Sequence, residues 1–272
     1  GVNNLEDNVK YLLDFVQDLY LTKENVESEK GIITQEINMC NDRPSDLLYD
    51  KIRLNTIKEN PFRESIIGTV KEVKSITKVK VGKLKEYKEP DKIVKEKEIV
   101  KCNTDIPKMA YSLKIPINIF DMDVRKLSIY MFILFNLLFG DTSNFDELAK
   151  KDGIITNTIY YNILNIDTHF IVSLINTGDK YEELIKRIDN EFKNIKFDEQ
   201  EFERKKKVLI SNEIFSYENI EMVNDMIVDN IIFDNKIETN IIDIIRSLNL
   251  DELNDIVKKI DFSNKSIVIL KK

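Results

Sequence analysis

Apolar residues at the front of the chain recur with the period of a helix. Val9, Leu12, Leu13, Val16 and Leu19 follow the i, i+3, i+4, i+7 rule and predict one apolar stripe. A break at Leu21-Thr22 follows, and Thr22 reads as the cap of a second helix through Val26, Ile32, Ile33 and Ile37 toward Cys40. The turn residues 42–46 restart a helix with Leu47, Leu48, Ile52 and Ile57, which Asn60-Pro61 stops. After Gly68, Thr69 caps a short helix that ends near Ile76. Residues 78–101 are dominated by Lys and Glu and predict a solvated linker or an edge strand.

Beyond Pro107 the period changes. Residues 109–117 alternate like a half-buried strand, and residues 158–177 read as two more strands. Asp121-Met122-Asp123 caps a long apolar helix through Phe139. Helices are expected from Tyr181 to Phe192, from Asp198 to about Asn212, and on toward Lys259, with SIVILKK as a final strand or tail. Strands grouped together and helices grouped together favour an α+β fold over a parallel βαβ wind.

Composition narrows the function. The chain has 272 residues, enough for two compact domains, and 33% of them are charged. A formal charge of -7, with no large basic block, argues against a nucleic-acid partner. The longest apolar run, Leu127 to Phe139, is shorter than the roughly 20 residues of a membrane span, so it predicts core rather than membrane. The first residues carry no signal-peptide pattern, and Cys40 and Cys102 form no CxxC, which suggests a reducing cytoplasm. The absence of GxGxxG and GxxxxGK[ST] leaves no phosphate-cradling loop. The single histidine, His169, means that two imidazole ligands cannot come from this sequence.

An internal repeat is also legible. At a constant offset of 176 residues, Leu12 meets Ile188, Val16 meets Phe192, Val26 meets Phe202, and Ile33 meets Leu209. The helix-break-helix layout agrees too, so the two halves read as copies of one unit. In EKGIITQEI, residues 29–37, Glu29 and Glu36 lie seven apart and so on one helical face. The second copy has Lys205 and Asn212 there. It keeps the apolar face and drops the acids, so the core does not require them.

These residues resemble a known family. Residues 12–77, with EKGIITQEI and the following Gly68-Thr69-Val70 turn, resemble insulinase/pitrilysin-type zinc metallopeptidases downstream of their HxxEH motif, and most closely the bacterial branch of Firmicutes. FGDTSNF, residues 139–145, is similar to the FGxSSxxF signature of that family's second half. The resemblance implies two similar α+β halves, each a mainly antiparallel sheet packed against helices. Residues 1–88 would be a truncated half bearing the zinc helix, and residues 89–272 the half that binds no metal. It implies that Glu36 is the third zinc ligand and that Glu29 supports the site. In the intact family site, two histidines and one carboxylate leave zinc a position for water, and the metal lowers that water's pKa for attack on a peptide. The general base there is the glutamate of HxxEH.

The chain departs from the pattern in three ways. HxxEH is absent, the stretch after Thr77 is shortened, and Lys150 or Lys151 with Thr156 stand where relatives carry an Arg near Gly-x-x-Tyr. The expectation is therefore part of a peptide-hydrolysing zinc metallopeptidase that is catalytically incomplete and binds no zinc by itself. The alternative is a non-catalytic member acting as a peptide-binding or partner subunit. Partners implied are a peptide and possible pairing with another family unit, as a homo- or heterodimer; nucleic acid and membrane are not. His169 is expected to be structural, and Arg204, Lys205, Lys206 and Lys207 to form a solvated helix face.

Overall fold

The computed structural model describes residues 4–17, 22–76, 87–234, 237 and 240–272. The chain divides into two compact units, Gly1–Leu47 with Ser65–Lys85, and Leu48–Glu64 with Glu86–Lys272.

The first unit holds helices α1 (Leu5–Gln17) and α2 (Lys23–Asn41), the opening residues of α3 (Pro44–Thr56), and the short α4 (Val70–Ser75). Its caps are those the sequence signals. The Thr22 hydroxyl accepts the Asn25 N–H, and Thr69 and Glu72 form a reciprocal capping box. Ile37 of α2 and Val73 of α4 are buried. The expected stripe on α1 forms, but none of its residues is buried; Leu12 is 61% and Val16 54% exposed. The period fixes which face of a helix is apolar, not what lies against it. Leu19 falls outside the described residues.

The second unit is built on a five-stranded sheet of order β1-β5-β2-β4-β3, with β1 (Lys97–Lys101), β2 (Lys108–Pro116), β3 (Tyr160–Asn165), β4 (His169–Thr177) and β5 (Lys265–Lys271). All pairs are antiparallel except β1 with β5. The Lys/Glu-rich stretch thus yields an edge strand at its end, while residues 77–86 lie outside the described residues. SIVILKK is an interior strand rather than a tail.

One face of the sheet carries Met109, Tyr111, Leu113, Phe170, Val172 and Leu174 into a core shared with α5 (Val124–Phe139), α6 (Asn144–Lys151), α7 (Tyr181–Lys193), α8 (Glu199–Ser216) and α11 (Leu250–Lys259). Helices α9 (Ile220–Asp229) and α10 (Ile241–Ser247) complete the unit. The long apolar run is α5, started by Asp123, which accepts from the N–H of Arg125 and Lys126. Its Tyr130, Leu134, Phe135 and Phe139 are fully buried, as expected of core. Among the described residues, no helix is long and apolar enough to cross a membrane.

The other face of the sheet is polar at its centre. Ser112 and Ser173 share a hydrogen bond of 2.8 Å in register, and Lys114, next along β2, is buried. Lys114 donates to Glu89, and both side chains are shut off from solvent. The Glu89 carboxylate also accepts the backbone N–H groups of Lys58, Glu59 and Asn60. The chain after α3 is thereby tied over the sheet, and the loop carrying Glu89 is not the free linker that its composition suggests. Helix α3 ends on tertiary partners as well. Arg63 donates to the carbonyl of Leu54, and the N–H groups of Val94 and Lys95 donate to that of Asn55.

Burial opposes the charge on Glu89. Lys114 and the three N–H groups outweigh it and hold the carboxyl down from 4.5 to about 2. Glu89→Ala leaves the Lys114 ammonium buried and unpaired, and should cost about 3–5 kcal/mol of stability in urea unfolding. A carboxyl with a lowered folded pKa stabilises fully above its unfolded value. The contribution of Glu89 should therefore hold above pH 4.5 and fall away as pH drops toward about 2. Acid-dependent melting curves of the protein and of Glu89→Gln check this, because the variant should lack that component.

Candidate functional site

Helix α2 places both sequence-predicted acids. Glu29 and Glu36 are exposed, about 10 Å apart along the axis by helical rise. Neither carboxylate has a hydrogen bond or ion pair among the described residues, whereas the neighbouring Lys30 is paired with Glu27 at 2.9 Å. Between the acids, Gly31 faces open space, with no heavy atom within 4 Å of where a Cβ would stand.

This arrangement is not a metal site in itself. A catalytic zinc takes three protein ligands, and Glu36 offers one with Glu29 two turns away. Among the described residues, no group of three His, Cys, Asp or Glu side chains could hold a metal. The single imidazole is committed within the second unit. His169 lies at the start of β4 and is buried, with Nε2 3.1 Å from Asp91 and Nδ1 2.8 Å from the Thr168 hydroxyl. Burial lowers its pKa against the pull of Asp91.

The repeat is visible in the elements. The offset of 176 carries Leu5–Gln17 onto Tyr181–Lys193 residue for residue, and the start of α2 onto the start of α8. It also carries the Thr22 cap onto Asp198, which accepts the Glu201 N–H as Thr22 accepts that of Asn25. At the position of Glu29, α8 has Lys205, which is 7% exposed and donates to the Thr142 hydroxyl at 2.8 Å. Burial and the adjacent Arg204 lower its pKa. At the position of Lys30, Lys206 is also buried and donates to the Leu248 carbonyl at 2.6 Å.

The solvated face expected of the basic run is therefore half wrong. Arg204 and Lys207 fit it, but Lys205 and Lys206 point inward. The missed signal is Phe202 and Leu209, which stand one helical turn to either side and put these lysines beside the apolar stripe.

FGDTSNF makes the tight junction between α5 and α6. A Cβ on Gly140 would stand 2.4 Å from the Asn136 carbonyl, Ser143 caps α6, and Phe139 meets Phe145 edge-on at 4.9 Å. Lys150 is occupied by Asp146 and Thr158 at 2.7 and 2.8 Å, while Lys151 and Thr156 are exposed.

Comparison with known proteins places the fold. Residues 64–209, more than half of the chain, match the family described as the peptidase M16 inactive domain. Zinc protease YmfH of Bacillus subtilis is 50% identical over 78 residues, a match spanning 29% of this chain and 18% of that protein. The chain thus spans less than a fifth of the curated relatives it matches. An M16-like peptidase from Alicyclobacillus acidocaldarius superposes with TM-score 0.83 at 22% identity, over 96% of this chain and 74% of that one. A chain of complex III from Candida albicans superposes with TM-score 0.68 at 10% identity, over 89% and 70%. At these identities the two structures speak for the fold.

Gly31 tests whether the acid-bearing face of α2 is open. With no neighbour at its Cβ, Gly31→Ala should stabilise the helix by about 0.5–1 kcal/mol. Thermal unfolding of the two proteins checks it, and a loss of stability would mean that something packs there.

Proposed function

The chain belongs to the peptidase M16 inactive-domain family, of insulinase/pitrilysin type, and from that premise we propose that it is part of a zinc metallopeptidase that hydrolyses peptides. In this reading Glu36 is the third zinc ligand, Glu29 supports it, and residues 89–272 form the half that binds no metal. The observation that carries it is the pair of acids on α2, without a partner among the described residues, set against Lys205 and Asn212 at the same positions of the twin helix. A core or surface requirement common to both copies would have kept the same residues. The two imidazoles of such a site come from outside this sequence, so the chain taken alone is catalytically incomplete. Free Cys40 and Cys102 suit a reducing, cytoplasmic setting.

A second reading is favoured by the family match itself, which is to a domain described as inactive. There the chain is a non-catalytic, peptide-binding subunit that pairs with another family unit. The likeness to a chain of a multi-subunit complex supports it.

The complete gene product separates the two. As part of a peptidase it should hold zinc by elemental analysis and cleave a casein-derived peptide mixture. Glu36→Gln should then abolish both, and Glu29→Gln should weaken metal affinity by about 10–100-fold. Absence of zinc, or activity indifferent to Glu36→Gln, overturns the peptidase reading and leaves the partner reading.

A further inference from the structure

Between the end of α5, the α5–α6 junction, α7 and the start of α8, the second unit has a cavity of about 240 Å³. Pockets for drug-sized ligands run from roughly 300 to 1,000 Å³, so this one suits a molecule the size of a single amino acid. Part of its wall is apolar, with Leu137 and Leu138 of α5 and Phe197 before α8. The rest is polar and charged. One lining cation, Lys205, is 7% exposed. Its ammonium has three N–H donors but a single acceptor among the described residues, the Thr142 hydroxyl. That hydroxyl also accepts from Arg204 at 2.8 Å, which uses its second lone pair. Two donors of a buried ammonium are therefore left for whatever fills the cavity.

The first turns of α6 and α8 open on the same cavity and add positive partial charge beside Lys205. The second lining cation, Lys196, is exposed to solvent. Three carboxylates complete the wall, and two of them are committed. Asp198 caps α8, and Glu201 is paired with Arg204 at 2.5 Å. Glu191 of α7 is not committed. It is half-buried and has no hydrogen bond or ion pair among the described residues, while Arg187, one turn earlier, is held by Asp152 at 2.7 Å. Burial raises the pKa of Glu191 against the pull of Arg187. The buried and half-buried charges with capacity to spare are thus one of each sign.

We propose that this cavity binds a free α-amino acid with an apolar side chain. Its carboxylate takes the spare donors of Lys205 beside the helix N-termini, its ammonium meets Glu191, and its side chain lies against Leu137, Leu138 and Phe197. A zwitterion is the occupant that satisfies both charges at once. A simple anion would set like charge against Glu191, and a simple cation or an apolar molecule would leave the Lys205 donors unmet. The site lies wholly in the second unit, so the proposal stands whether or not Glu36 meets a metal.

Isothermal titration of L-leucine into this chain tests it without metal. Leucine should bind with a Kd of about 1 mM or tighter. N-acetyl-leucine lacks the ammonium and leucinamide the carboxylate, and each should bind at least about tenfold more weakly, the loss of one hydrogen bond to a charged group. Glycine, with no side chain for the apolar wall, should also be weaker. Glu191→Gln breaks no contact of the fold, so it should keep its circular dichroism while losing about tenfold in leucine affinity. Lys205→Gln should lose at least as much, and Glu191→Gln decides the matter if that variant does not fold. Three results would each overturn the proposal. They are no binding of leucine, equal binding of any of the three analogues, and leucine affinity unchanged in Glu191→Gln.

Discussion

The second unit depends on a positive charge placed inside a sheet. Lys114 lies on the central strand β2, where both faces are covered, and an isolated ammonium there would be prohibitively costly. Glu89 makes it tolerable and does more than neutralise it, since its carboxylate also accepts the three N–H groups that follow α3. Asn264 extends the tie by donating to the carbonyls of Asp91 and Lys114 while accepting the Ile93 N–H. One buried ion pair therefore fixes the exit of α3, the loop before β1 and the approach to β5 against the same strand. Losing either partner exposes every one of those attachments to an uncompensated charge.

That tie explains which parts of the fold were legible in the sequence. Elements whose only demand is burial of an apolar face declare it by period, so α5, α7, α8, β2, β3 and β4 are read from spacing and caps. Buried ions have no period. Glu89 sits in a stretch of Lys and Glu that by composition is solvent-facing, and nothing in its neighbours marks it as buried. Lys205 and Lys206 are intermediate. Their position beside Phe202 and Leu209 was available, but a run of four bases reads as a wet face unless that register is weighed first.

The candidate site was legible in a different way. Glu29 and Glu36 stand out neither by burial nor by any partner among the described residues, and a solvated carboxylate needs neither. Their meaning comes from comparison within the chain. Helix α8 copies the cap and apolar register of α2 and then fills the acid positions with a lysine turned inward and an amide. Period predicted the shared part, and only the difference between copies singled out the acids.

The two copies also differ in what their charged faces leave unfinished. On α8, Lys205 and Lys206 have found a hydroxyl and a backbone carbonyl, so the charge in that face is spent on holding the fold. On α2 the equivalent face keeps two carboxylates in water with open space at Gly31 between them. An exposed acid pair on a helix contributes almost nothing to stability, so any selection on it acts through what approaches from outside. Alone, the helix offers a metal only these oxygens, so the zinc reading requires nitrogen ligands from another segment. In the proposed zinc reading α2 would be one wall of a site, and its twin α8 carries the same cap and apolar register without the two acids.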